Sequence, residues 1–213
     1  MSAPSKRQAA TAHHEAGHAV VGLWERVPVR LIRASIIPDP EEGTLGHVLH
    51  GRMPRVRDVE LGRDGRPRHF YRDFSPEFDD ERLVERRLKP QIVMLFAGVI
   101  AETKFTGRRH NWQGATSDMR AATDFIAYVA PSPRLAQKYS DYLWVVAEDT
   151  VDRLWSDVEA LATELLTRKT MSAREVIAFQ RAWPPSDWSP TFVMRAAPAV
   201  ENVPSLSPEA PQD

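Results

Sequence analysis

No cysteine occurs in the 213 residues. That excludes disulfide staples and thiolate metal cages, and leaves histidine and carboxylate as the side chains able to hold a cation. A dominant charge sign is missing too, with 28 Lys and Arg against 29 Asp and Glu. Nothing global therefore draws the chain to nucleic acid or an anionic membrane, and neither partner is expected. The uncharged, apolar run of residues 91–101 falls well short of the ~17–25 residues that span a bilayer, so it is expected as a buried core helix. Glycine is sparse, and none of the ten opens a GxxxxGK[ST] sequence, so these residues hold no P-loop cradle for ATP phosphates. The first residues lack the apolar core of a secretory signal, which makes a cytoplasmic location the expectation.

What is present suits one sizeable domain, residues 1–182, followed by a Pro-, Ser- and Ala-rich tail, 183–213, expected to be disordered. Ser5 and Gln8 have capping-box spacing, and Ala9, Ala12, Ala16, Ala19, Val20, Leu23 and Trp24 recur at helical intervals. A first helix from about Lys6 to Arg26 follows. Two β-rich runs, ending at Pro38 and spanning Thr44 to His50, flank a turn-rich stretch and predict a hairpin or two neighbouring strands. Residues 51–78 form an Arg-rich insert or loop, with seven arginines between Gly51 and Asp73. Helical patterning returns from Asp79 to Phe105, with Pro90 a candidate kink, and again after Ser117, a candidate cap. Leu143, Ala147, Val151, Leu154, Val158, Leu161 and Leu165 predict one long helix over Leu135 to Arg168, then a short one over Ser172 to Arg181. The fold class is mainly α with a small β-sheet.

The pentapeptide His14-Glu15-Ala16-Gly17-His18 lies inside the first predicted helix. Residues four apart stand one above the other on a helix face, so both imidazoles can reach one metal ion. Zinc suits two neutral imidazoles and one carboxylate, with a fourth position left for water. Glu15, beside the first ligand, is placed to take a proton from that water, which points to peptide-bond hydrolysis. His13 is expected to point away from the pair, into solvent.

A third ligand must be a distant carboxylate, since no third histidine follows in an HExxHxxGxxH pattern. Glu102 sits in an apolar helix, where an unpartnered carboxylate is costly. Asp118 falls in a first helical turn, where the dipole favours an anion. Local reasoning leaves these two open, with Asp124 behind them.

The segments TAHHEAGHAVV, ASIIP, LGHV, AGVIAETKFTG and QGATSDMRAAT, taken in order, resemble the peptidase domain of FtsH-type ATP-dependent zinc metalloproteases. The resemblance runs from about Gln8 to Phe179 and implies a zincin-like, mainly helical peptidase domain without its ATPase module. It further implies one Zn2+ per chain on His14, His18 and Asp118, with Glu15 as general base and Glu102 behind the ligands, orienting a zinc-binding histidine. Leu45, Gly46, His47 and Val48 would line an extended, unfolded polypeptide substrate. A hexameric homo-oligomer and a separate ATPase partner are also implied. The sequence departs from the family at Gln113, which replaces a threonine, at Val99, which replaces an arginine, and in the Arg-rich insert. These changes bear on oligomer contacts and substrate handling, not on ligands or base. His47 and His110 are the candidates for stabilising an oxyanion. The alternative is a catalytically silent relative that binds chains without cutting them.

Overall fold

The computed structural model describes residues 4–27, 31–38, 45–50, 56–61, 67–71, 81–107, 116–130 and 132–182. The tail 183–213, His110 and Gln113 lie outside them. Helix α1, Lys6–Trp24, opens with the expected capping box: the Ser5 hydroxyl accepts from the Gln8 amide, and the Gln8 side chain accepts from the Ser5 amide. Two orphan amide donors of the helix start are thereby satisfied.

Every residue from Ala12 to Gly22 is buried. Over this length α1 is a central helix enclosed all round. It packs on helix α2, Glu81–Thr106, on helix α5, Trp155–Arg168, and on strands β1, Leu31–Ser35, and β2, His47–His50. The small residues of α1 allow this. A Cβ added at Gly17 would come within 2.7 Å of the Ala97 carbonyl oxygen and 2.8 Å of the Ala101 methyl group, so α1 and α2 touch almost backbone to backbone.

Strand β1 pairs antiparallel with β2, Ala34 opposite Val48 and Ser35 opposite His47, with an irregularity between Leu31 and Arg33. On its other side β1 pairs antiparallel with β5, Thr170–Ser172, an element without a sequence expectation. Among the described residues, the sheet order β2-β1-β5 leaves β2 as an outer strand. In the Arg-rich insert, strands β3, Val56–Leu61, and β4, Pro67–Tyr71, form a separate two-stranded antiparallel sheet, where the sequence suggested a loop.

Helix α2 runs unbroken through Pro90. Helix α3, Thr116–Val129, begins one residue before Ser117, which is therefore inside the helix and does not cap it. The expected long helix is two: α4, Pro133–Arg153, capped by the Ser132 hydroxyl, and α5, separated by Leu154 at φ −99° and ψ 16°. Amides of Asp157 and Val158 both donate to the Leu154 carbonyl at 3.0 Å. The apolar rhythm continues across the break, since Leu143, Ala147, Val151, Leu154, Val158, Leu161 and Leu165 are all buried. Helix α6, Ala173–Ala182, ends the described chain. Among the described residues, no helix is long and apolar enough to cross a membrane.

Gly17→Ala should destabilise the fold by about 1–3 kcal/mol, because backbone and a Cβ on α2 must move to admit the methyl group. Urea denaturation measures this; an unchanged midpoint would show that the two helices are not in such close contact.

Candidate metal centre

His14 and His18, one turn apart on α1, and Asp118, in the first turn of α3, converge. Their candidate ligand atoms all lie within 4.8 Å of one another. His14 Nε2 is 3.0 Å from His18 Nε2 and 3.1 Å from Asp118 Oδ2, which is 3.3 Å from His18 Nε2. These separations approach the ~3.3 Å edge of a tetrahedron built on ~2.0–2.1 Å bonds to zinc. The donor set, two imidazoles and a carboxylate, fits that ion.

The far sides of the rings fix their tautomers. His18 Nδ1 lies 2.8 Å from the Met94 carbonyl oxygen, which can only accept, so the Nδ1 proton points there. His14 Nδ1 donates to Glu102 Oε2 at 3.0 Å. With both Nδ1 atoms protonated, two neutral rings would face each other lone pair to lone pair across 3.0 Å. Something positive belongs between them: a proton in the metal-free protein, or a cation.

The charges respond accordingly. Burial alone would lower the His14 pKa, but hydrogen bonds to Asp118 and Glu102 outweigh it and hold the pKa at about 10. Burial would raise Asp118; the neighbouring histidines instead hold it well below the usual carboxylate range. Burial dominates at Glu15, only 5% exposed, and lifts its pKa to about 7 against the pull of His14 and His18. A carboxyl group poised near neutrality is a competent proton acceptor and donor.

Glu102 and Asp118, the two carboxylates left open by local reasoning, meet opposite nitrogens of one ring, His14. Asp124 is not in the cluster. Gly46 is buried where a Cβ would come within 2.9 Å of Glu15 Oε1, which sets the lead-in to β2 against that carboxylate; Leu45 before it is exposed. His47 Nε2 accepts from Arg33 Nε at 3.1 Å. His13 is not a solvated neighbour: it is buried, its ring stacked on Phe105 with centroids 3.8 Å apart and near Trp155 at 5.7 Å, and its Nδ1 donates to the Ala9 carbonyl. The Met94 carbonyl and Gly98, against which the His18 ring lies, went unnoticed in the sequence. A glycine inside an apolar helical run costs ~1 kcal/mol relative to alanine, and that is the signal that could have marked Gly98.

The site is thus of the class formed by two helical histidines and a distant carboxylate. A scan against protein-family models returns no match. Among curated proteins, the chain is 26% identical over 148 residues to the ATP-dependent zinc metalloprotease FtsH of Haemophilus influenzae, covering 68% of this chain and 19% of that protein. It is 30% identical over 119 residues to FtsH of Rickettsia felis, covering 56% of this chain and 15% of that protein. FtsH of Rickettsia conorii matches over the same length at 29%. The chain contains an FtsH-related region and spans less than a fifth of the length of these relatives.

Burial holds the His13 pKa below its ordinary value, partly offset by the bond to Ala9 and by Glu159. The stability owed to neutral His13 is therefore present above about pH 6.5 and is lost as pH falls from there through the depressed folded value. Wild type should lose more stability between about pH 7.5 and about pH 5.5 than His13→Phe does. Urea melts at the two pH values measure the difference, and equal losses would contradict a buried neutral ring.

Proposed function

We propose that this chain is a zinc metalloendopeptidase that hydrolyses peptide bonds in unfolded polypeptides, with Glu15 as general base. The observation that carries the proposal is the pair of imidazoles held by Met94 and Glu102 with their Nε2 atoms 3.0 Å apart and Asp118 beside both, an arrangement that suits a cation. Similarity to proteins named zinc metalloproteases supports zinc and hydrolysis.

His14, His18 and Asp118 would hold one Zn2+, and Glu102 would orient His14 and raise its basicity as a ligand. Zinc, when bound, supplies a Lewis acid for the scissile carbonyl and brings the pKa of water to ~7. Glu15 takes the proton of the attacking water and returns it to the departing amine. Its burial removes competing solvent.

Strand β2 is an outer strand whose lead-in abuts Glu15, so an extended chain added along it would have its main chain aligned beside the base. Leu45, Gly46, His47 and Val48 are the substrate-lining residues in this proposal. Main-chain pairing tolerates many side chains, which favours broad specificity. These residues contain no P-loop sequence, so ATP-driven unfolding would come from an ATPase module outside them; peptides and already unfolded chains need none.

Glu15→Gln should keep zinc and lose cleavage of an unfolded, casein-like protein by at least about 100-fold. The assay runs without ATP at equal zinc content, with a chelator control. Wild-type turnover retained in the variant would remove Glu15 from the role, and zinc-loaded wild type that cleaves nothing would favour a chain-binding function. In a chelator titration, Asp118→Asn should weaken zinc binding more than Glu102→Gln, whose expected loss is about 10- to 100-fold. The reverse order would exchange the two roles.

A further inference from the structure

We propose that Gly98 is a positioning residue for His18: its missing side chain opens the notch in α2 through which the imidazole reaches the Met94 carbonyl and is fixed as a metal ligand. The inference rests on the zinc assignment above and extends it to a residue that touches no metal.

The geometry is specific to this position. A Cβ built on Gly98 would press against the His18 ring, inside contact distance of Nε2, Cε1 and Cδ2 at once. At Gly17, by contrast, the atoms nearest an added Cβ are α2 backbone and the Ala101 methyl group. Met94 and Gly98 are four residues apart within α2, so in helical geometry the Met94 carbonyl oxygen accepts the Gly98 amide. A carbonyl has a second lone pair, and His18 Nδ1 donates to it at 2.8 Å. A side chain on a helix leans over the turn that precedes it. One at position 98 would therefore cover the Met94 carbonyl as well as fill the ring's place. Glycine alone leaves both open.

The consequence is chemical as well as steric. The Met94 bond puts the proton on Nδ1 and so turns the Nε2 lone pair toward His14 and Asp118. His14 has Glu102 for this purpose, a side chain that can follow the ring if it shifts. His18 has a helix carbonyl, which cannot move. Orientation of the second ligand thus depends on backbone and on an empty Cβ position. A flexible partner such as Glu102 could be replaced by another acceptor; the Gly98 notch has no such substitute.

The test is a double-mutant cycle on zinc affinity, by chelator competition, with Gly98→Ala, His18→Ala and the double variant. Gly98→Ala should weaken zinc about 10- to 100-fold and add nothing further in the His18→Ala background. Equal losses in both backgrounds would overturn the proposal, because Gly98 would then act on the fold and not through His18. Nitrogen-15 imidazole spectra of the metal-free proteins provide a readout that general destabilisation does not move. Wild-type His18 should show a protonated Nδ1, and Gly98→Ala should show mixed tautomers. An unchanged His18 signal in Gly98→Ala would also overturn the proposal. Should wild type bind no zinc, the metallopeptidase assignment fails, while these spectra still decide whether Gly98 seats His18.

Discussion

The closeness of α1 to α2 is the constraint on which the site depends. Gly17 rests on the Ala97 carbonyl and Ala101, and the ring of His18, the next residue, lies on Gly98. Two helices can approach this nearly only where small residues face each other, and α1 is alanine- and glycine-rich along the contacting length. Burial of α1 on all sides follows, and with it the desolvation of His13, His14, Glu15 and His18. Four polar side chains in a buried helix need partners, and each of the three histidines has a backbone or carboxylate acceptor behind it. The packing that stabilises the fold therefore also creates the demand for a charge between His14 and His18.

The legible part of this molecule was local. Capping-box spacing at Ser5 and Gln8 marked the start of α1, and the four-residue interval put His14 and His18 on one face. Glu102 and Asp118 stood out because carboxylates are costly in an apolar helix and favoured at a helix start, and both reach His14. Spacing could not say which nitrogen each would meet, since that depends on how α2 and α3 lie across α1. The same limit hid His13: its neighbours Phe105 and Trp155 come from α2 and α5, far away in sequence.

Other features escaped because their signals were uniform or absent. Leu154 interrupts a helix without proline or glycine, and its side chain keeps the apolar rhythm, so periodicity runs straight through the break. Strand β5 is three residues long and exists because the end of α5 delivers it to β1; Lys169 turns the corner at φ 68°, a conformation with no strong signature in lysine. Strands β3 and β4 lie in a segment whose arginines and glycines obscured any alternation. Gly98 was visible as a letter but not as a notch, because its purpose lies in the ring that occupies the space beside it.

The sheet is coupled to the candidate metal centre by very few steps. Strand β2 pairs with β1, and Gly46, just before β2, packs against Ser35 of β1, Thr11 of α1 and the Glu15 carboxylate together. A displacement of β2 therefore presses directly on the Glu15 carboxylate, and a side chain at position 46 would do the same. In the proposed peptidase, this ties the register of a chain lying along β2 to the position of Glu15 without any intervening loop that could absorb error. Alignment within a few tenths of an ångström matters for attack on a carbonyl, since misplacement by ~1 Å can cost on the order of 100-fold in rate. A rigid path from outer strand to base is thus a reason for Gly46 to be glycine that is independent of turn geometry. The two small residues beside the site, Gly46 and Gly98, share a purpose: each leaves empty the volume that the Glu15 carboxylate or the His18 ring fills.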